Sequence, residues 1–169
     1  MGRAAAFFDL DKTIIAKSST LAFGRPFFDN GLMNRRSVLK STYAQLVFMV
    51  SGTDADQMER MRKHITAMCT GWDVSQVHDI VQETLHEIMD PLVYDEAAEL
   101  IEAHRSEGRD VVIVSSSGLE LVGPIGEMVG ADHVIATRMV AHDGKYTGEI
   151  DYYAYGPNKA AATIRVAMT

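Results

Sequence analysis

The sequence predicts an α/β fold in which a parallel sheet has helices on both faces and an all-helical segment follows the first strand. From residue 91 onward, helical patterns alternate with short apolar runs, as in strands joined by crossover helices. Between residues 18 and 89, apolar residues recur at helical spacing and strand patterns are scarce. We therefore predict a core domain formed by residues 1–15 and 90–169, and a helical cap formed by residues 16–89.

The first predicted element is a buried strand that ends at two carboxylates. Residues 4–8 are small or apolar, Asp9 and Asp11 follow directly, and Thr13 comes two residues later. In open parallel sheets, ligands bind at the carboxyl ends of the strands, where this strand would place both acids. Because unpaired buried charge is costly, the pair indicates a metal site or a catalytic site. An ordinary Asp-containing turn is the alternative that these residues alone leave open.

Three apolar stripes predict helices in the inserted segment. Their members are Leu39, Tyr43, Leu46 and Val50, then Met58, Met61, Ile65 and Met68, then Val77, Val81, Leu85 and Ile88. Gly- and Asp-containing breaks at residues 51–54 and 71–73 separate the stripes. The segment is therefore expected to form a small bundle. Its methionine-rich stripe is expected to be core, with an adaptable binding face as the alternative.

The second half of the chain alternates between helices and strands. The pattern predicts a helix over 94–107, a strand over 111–114, a helix over 118–129, a strand over 133–136, a hairpin over 138–151 and a last helix over 157–168. Asp143 and Gly144 are typical of the hairpin turn. Pro124 is expected to break or kink the helix that contains it.

Composition narrows the class of protein. The chain has 169 residues, enough for one domain with an insertion. Its net charge of −7 argues against a broad nucleic-acid surface, although it is compatible with an anionic substrate at a local cation. The single cysteine, Cys69, excludes an internal disulfide and fits a cytoplasmic location. The apolar stretch 38–50 is too short to cross a membrane, and the oligomeric state is left open.

The segment Phe7-Phe8-Asp9-Leu10-Asp11-Lys12-Thr13 resembles the first motif of the haloacid dehalogenase-like (HAD) hydrolases. The resemblance implies a Rossmann-like core and Mg²⁺-dependent hydrolysis of a small phosphorylated metabolite. Asp9 would be the nucleophile that forms an aspartyl-phosphate, and Asp11 the general acid and then the base. The Asp9 carboxylate and the Asp11 backbone carbonyl would help to bind the Mg²⁺.

Two later segments resemble the second and third motifs of that family. The apolar strand that ends at Ser115 would place its hydroxyl, with the N–H groups of Ser116 and Ser117, around the phosphate oxygens. A serine N-cap is the alternative for this segment. Lys159, near the start of the last helix, would orient Asp9 and offset phosphoryl charge, with a solvated surface lysine as its alternative.

The helical insert and the hairpin with Gly148-Glu149 resemble the phosphoserine-phosphatase-like branch, subfamily IB, which has a C1-type helical cap. Ser18 stands where phosphoserine phosphatases have a glutamate that binds the substrate ammonium, so phosphoserine is a doubtful substrate. The acidic fourth motif, which completes the Mg²⁺ shell, is expected beyond Thr169. We therefore expect this chain to be truncated and inactive by itself. A non-catalytic phosphate-binding domain and a phosphotransferase are the alternatives to a hydrolase.

Overall fold

The computed structural model describes residues 4–34, 59, 63, 66–156, 158 and 160–163. Its elements are β1 (Ala5–Asp9), α1 (Ser19–Ala22), α2 (Gly24–Asp29), α3 (Val74–Met89), a 3-10 helix (Asp90–Leu92), α4 (Asp95–Ser106), β2 (Asp110–Gly118), α5 (Leu119–Met128), β3 (His133–His142) and β4 (Lys145–Tyr152). Residues 66–69 and 160–163 are also helical.

The described strands form one sheet in the order β1-β2-β3-β4. The first three strands are parallel, and β4 is antiparallel to β3. At the tight turn between β3 and β4, Asp143 has φ 50° and Gly144 has φ 75°, the left-handed pair that a two-residue hairpin of this kind requires. The predicted α/β class is confirmed, and the sheet is mixed because the second strand of the predicted hairpin joins it.

The strand β2 is buried on both faces of the sheet. Val111 and Ile113 pack into the larger apolar cluster on one face, with residues of α3, α4 and α5. Val112 and Val114 pack on the other face with Ile135 and, at the edge of the cluster, Ala162 of the last helical segment. All four valine and isoleucine side chains of β2 are at most 4% exposed, which explains the uninterrupted apolar run in the sequence.

The helix α3 confirms the third of the predicted apolar stripes. Val77, Val81 and Leu85 are buried, and α3 packs against α5. The Asp73 carboxylate caps its first turn by accepting from the N–H groups of Ser75 and Gln76. The stripe at 39–50 and the first three members of the stripe at 58–68 lie outside the described residues, so a separate cap stays a prediction. No described helix is both long and apolar enough to cross a bilayer.

The break expected at Pro124 does not occur. The helix α5 continues through Pro124 from Leu119 to Met128. Leu121, Val122 and Ile125 are buried against the core, and this packing outweighs the backbone hydrogen bond that the proline removes.

The hairpin docks against the chain that leads into α3. The N–H of Gly71 donates to the Tyr146 carbonyl (2.8 Å), and the N–H of Tyr146 donates to the Trp72 carbonyl (3.0 Å). Gly148 has φ +86° and lies against the Thr70 side chain. The absence of a side chain at Gly148 therefore permits a close approach between β4 and residues 66–72.

We predict that Gly148→Ala destabilises the fold more than the matched variant Gly144→Ala. Both glycines have left-handed φ, so each alanine introduces a backbone strain of about 1–3 kcal/mol. Only at Gly148 would the new Cβ clash with Thr70, which adds an overpacking penalty of about 1–3 kcal/mol. Denaturant unfolding of both variants measures the difference, and equal losses would contradict the close contact.

Candidate active site

The strand pairing brings Asp9 and Ser115 to the same edge of the sheet. Asp9 is the last residue of β1 and pairs with Val114 in the parallel ladder, so Ser115 comes immediately after its partner. Asp9 is exposed, whereas Ser115 is only 1% exposed. The two segments predicted from sequence to share an edge therefore do share it.

A tight turn after β1 determines where Asp11 lies. The Leu10 carbonyl accepts from the N–H groups of Ile14 (3.0 Å) and Ile15 (3.1 Å), and the Lys12 N–H donates to the Ile15 carbonyl (2.7 Å). Lys12 has φ 62°, an uncommon conformation for a residue other than glycine. Leu10, Ile14 and Ile15 are fully buried. Apolar burial thus fixes the turn, and Asp11 remains partly accessible beside it.

Both carboxylate oxygens of Asp11 have hydrogen-bond donors. The backbone N–H of Ser19 donates to Oδ1 (2.7 Å), and the Ser117 hydroxyl donates to Oδ2 (2.9 Å). Ser117 Oγ in turn accepts from the hydroxyls of Ser19 (3.0 Å) and Thr20 (3.4 Å). Hydrogen bonds to a charged acceptor are stronger than neutral ones, so this network connects the start of α1 to the loop after β1 and to β2.

The segment Ser115–Ser117, near the end of β2 and called the serine loop below, leaves the regular ladder between β2 and β3. Their register shifts between Val114 and Gly118, and the Ser117 N–H donates to Ser115 Oγ (3.1 Å). The Ser115 hydroxyl keeps its own hydrogen for a further acceptor, and Ser116 is exposed. The Ser115 hydroxyl therefore lies at the same edge of the sheet as Asp9, and the phosphate contacts predicted for Ser115 and Ser116 stay a prediction.

Lys159 lies outside the described residues, so its predicted role stays a prediction. The chain just before it is anchored by Asn158. The Tyr152 hydroxyl donates to the Asn158 carbonyl (3.0 Å), and the Asn158 side-chain amide donates to the Tyr153 carbonyl (3.2 Å).

Three titratable groups that the sequence did not single out as a cluster lie behind the loop. Burial raises the pKa of Glu120, in the first turn of α5, and the nearby Tyr146 hydroxyl offsets part of that rise. Burial, and then the charge of Glu120, raise the pKa of Tyr146 and bring that of Cys69 to about 12. Glu120 Oε2 has no hydrogen-bond partner within the described part of the chain. The Cys69 thiol is thus a buried group whose raised pKa disfavours the reactive thiolate.

The donor atoms at this edge are oxygens, which suit a hard cation. The Asp11 carboxylate is engaged by Ser19 and Ser117, so its backbone carbonyl and the exposed Asp9 carboxylate are the oxygens of this edge that would hold Mg²⁺. Among the described residues, no group of three or more His, Cys, Asp or Glu side chains could hold a metal ion. The residues present therefore fit Mg²⁺ but supply only part of its shell.

We expect Glu120→Gln to gain stability relative to the wild type as the pH rises. The folded-state pKa of Glu120 lies above its unfolded value, so its stabilising contribution is complete below the unfolded pKa. That contribution is lost as the pH rises through the folded pKa, whereas glutamine does not titrate. Urea unfolding at about pH 4 and about pH 8 measures the difference.

The matched control is Glu127→Gln, an exposed glutamate of the same helix. A difference between Glu120→Gln and wild type that is the same at both pH values would contradict the buried position of Glu120.

The family model of the haloacid dehalogenase-like hydrolases matches residues 6–167. The match covers nearly the whole chain, including the turn that holds Asp9 and Asp11 and the serine loop of β2. The chain therefore belongs to this family, and the resemblance seen in the sequence is confirmed.

Sequence similarity to a mycobacterial protein supports this family membership. The chain is 65% identical over 167 residues to a protein of Mycobacterium tuberculosis named as a probable phosphatase. That match covers 99% of this chain and 58% of the relative, so the chain spans less than two thirds of the relative's length.

Solved structures share the fold at low sequence identity. A Bordetella pertussis protein of unknown function superposes with a TM-score of 0.83 at 18% identity, covering 98% of this chain and 74% of that one. A substrate-bound phosphoserine phosphatase superposes with a TM-score of 0.64 at 18% identity, covering 99% and 72%. The predicted likeness to phosphoserine-phosphatase-like proteins is confirmed at the level of the fold.

The residues that sequence analysis missed are hydroxyl groups. Ser19 and Thr20 were not singled out, and Ser117 was considered only for its backbone N–H. The sequence contained a weak signal for them, since serine and threonine are concentrated at residues 18–20 and 115–117.

Proposed function

We propose that this chain forms the catalytic core of a Mg²⁺-dependent phosphomonoester hydrolase that acts through an aspartyl-phosphate. The observation that carries the proposal is the placement of Asp9 and a hydrogen-bonded Asp11 beside the Ser115–Ser117 loop. Family membership and the relative named as a probable phosphatase support it. Because the chain spans only part of that relative, the proposal concerns the whole protein to which this core belongs.

Asp9 is the proposed nucleophile. Its exposure at the end of β1 lets a carboxylate oxygen attack phosphorus, and the bond from phosphorus to the leaving-group oxygen breaks. Water then attacks the aspartyl-phosphate, which releases inorganic phosphate and restores the Asp9 carboxylate. The Ser115 hydroxyl and the Ser116 N–H are the proposed donors to the phosphoryl oxygens, together with Lys159.

Asp11 is the proposed general acid and then the general base. Its Oδ1 accepts from the Ser19 N–H and its Oδ2 from the Ser117 hydroxyl, and each oxygen keeps a further lone pair that can take a proton. The carboxyl group protonates the leaving group and later takes the proton of the attacking water, while these two hydrogen bonds hold it in place.

Mg²⁺ bound to the Asp9 carboxylate and the Asp11 carbonyl would offset the negative charge of the phosphate. The protein's own contribution is to hold Asp11 in place without using its carboxylate as a metal ligand. The Ser19 and Ser117 bonds do this from two different segments of the chain.

We predict that Asp9→Asn abolishes phosphomonoester turnover while the protein stays folded. A loss of at least about 10³-fold in kcat corresponds to about 4 kcal/mol of transition-state stabilisation. The assay uses the complete product of the gene, p-nitrophenyl phosphate and Mg²⁺. Asp95→Asn, at the exposed start of α4, is the matched control and should retain normal turnover. Substantial turnover by Asp9→Asn would refute its role, and an inactive wild type would favour a non-catalytic phosphate-binding domain.

The substrate is proposed to be a small phosphorylated metabolite without an ammonium group near the phosphate. Ser18, at the N-cap of α1, is only half-buried and has no carboxylate to offer. The charged residues between Asp11 and Ser18 are Lys12 and Lys17, both exposed, so this stretch offers no carboxylate to an ammonium group.

We predict poor selectivity for L-phosphoserine, because no carboxylate at residue 18 offsets its ammonium group. The ratio of kcat/KM for phosphoserine to that for a phosphomonoester of similar size without the amino group should stay below about 100-fold. Ser18→Glu should raise this ratio, and Ser18→Gln is its uncharged control. A strong preference of the wild type for phosphoserine would mean that another acid binds the ammonium group.

A further inference from the structure

Thr137 in β3 is a buried threonine whose hydroxyl donates one hydrogen bond and accepts another. It is 6% exposed. Its hydroxyl donates to the Ser116 carbonyl (2.7 Å) and accepts from the Ala154 N–H (3.2 Å). One side chain thus bridges the serine loop of β2 and the chain that follows β4.

The Ser116 carbonyl lies where the ladder between β2 and β3 is interrupted. The strands pair as far as Val114 with Ile135, and pairing resumes only at Gly118 with Thr137. Between these points three residues of β2, Ser115–Ser117, stand opposite Ala136 alone, so the ladder is irregular and a carbonyl here can accept from another donor. The Thr137 hydroxyl supplies the donor for Ser116, and its geometry fixes how far the loop departs from β3.

The second partner of Thr137 lies at the other side of the site. Ala154 is fully buried and follows Tyr152, the last residue of β4. Two residues beyond Ala154, the chain reaches Gly156 and then the segment anchored by Asn158. The hydroxyl of Thr137 therefore sets the separation between the serine loop and the chain that leads into the last helical segment.

We propose that Thr137 is a positioning residue that fixes the Ser115–Ser117 loop in the conformation needed to bind phosphate and to hold Asp11. It acts through Ser116 and Ala154 and does not touch the substrate. The part of this inference that concerns turnover rests on the proposed function, whereas the part that concerns loop conformation does not.

The test compares Thr137→Val, which keeps the branched shape and removes the hydroxyl, with Thr137→Ser, which keeps the hydroxyl. Thr147→Val is a matched control in the same hairpin. The Thr147 hydroxyl also donates to a carbonyl, that of Val140 (3.2 Å), and accepts from an N–H, that of Glu149 (3.2 Å), but it is exposed and bonds only within the hairpin.

The first measurement is amide hydrogen exchange by NMR. In Thr137→Val, the amides of Ser117 and Ala154 should exchange at least about tenfold faster than in the wild type, because the bonds that restrain both segments are lost. Thr137→Ser and Thr147→Val should leave both rates near those of the wild type. This measurement requires no activity, so it remains decisive if the proposed function fails.

The second measurement is kinetic, in the complete product of the gene with p-nitrophenyl phosphate and Mg²⁺. Thr137→Val should lower kcat/KM by about tenfold to hundredfold through a misplaced loop, and Thr137→Ser should restore it. If Thr137→Val does not fold, Thr137→Ala removes the same hydroxyl and takes its place.

Unchanged exchange at Ser117 and Ala154 in Thr137→Val would overturn the proposal. So would normal kcat/KM in Thr137→Val when the wild type is active, or loss of kcat/KM in Thr137→Ser. An inactive wild type with the predicted exchange pattern would count against the proposed function and support the positioning role.

Discussion

The candidate site depends on the hydrogen bonds that both oxygens of Asp11 accept. One comes from the Ser19 backbone at the start of α1, and the other from the Ser117 hydroxyl at the end of β2. Ser19 is fully buried, so its N–H has to find an acceptor within the protein. The carboxylate of Asp11 therefore joins three segments, the turn after β1, the entry to α1 and the serine loop of β2.

The hairpin β3–β4 supports the site at one end and the helical segment at the other. Near the site, Thr137 bonds to the serine loop of β2 and to the chain after β4. At the far end, Tyr146 exchanges backbone hydrogen bonds with residues 71–72, and Gly148 permits close contact with Thr70. The same hairpin thus relates the serine loop to the chain that leads into α3.

The parts of the fold that follow from local pattern could be predicted from the sequence. The apolar runs of β1 and β2, the spacing of α3 and the Asp143-Gly144 turn each reflect nearest neighbours or one buried face. The convergence of Asp9 and Ser115 followed from the parallel pairing alone. The break anticipated at Pro124 does not form, because burial on either side of the proline outweighs its local penalty.

The hydroxyl network could not be predicted, because its partners are far apart in sequence. Ser117 and Asp11 are separated by 106 residues, and Thr137 and Ser116 by 21. Serine and threonine are common in turns and caps, so their presence gives no sign of which distant group they bind. The burial of Glu120 was equally hidden, since a glutamate in the first turn of a helix is usually solvated.

The most direct test of this account is a double-mutant cycle on the free energy of unfolding with Asp11→Ala, Ser117→Ala and the double variant. If the Asp11 carboxylate joins the turn after β1 to the serine loop, the losses in unfolding free energy of the two single variants should be non-additive by about 1 kcal/mol or more. A second cycle that pairs Asp11→Ala with Thr147→Val should be additive. Additive losses for Asp11 and Ser117 would contradict the account, because the two residues would then contribute independently.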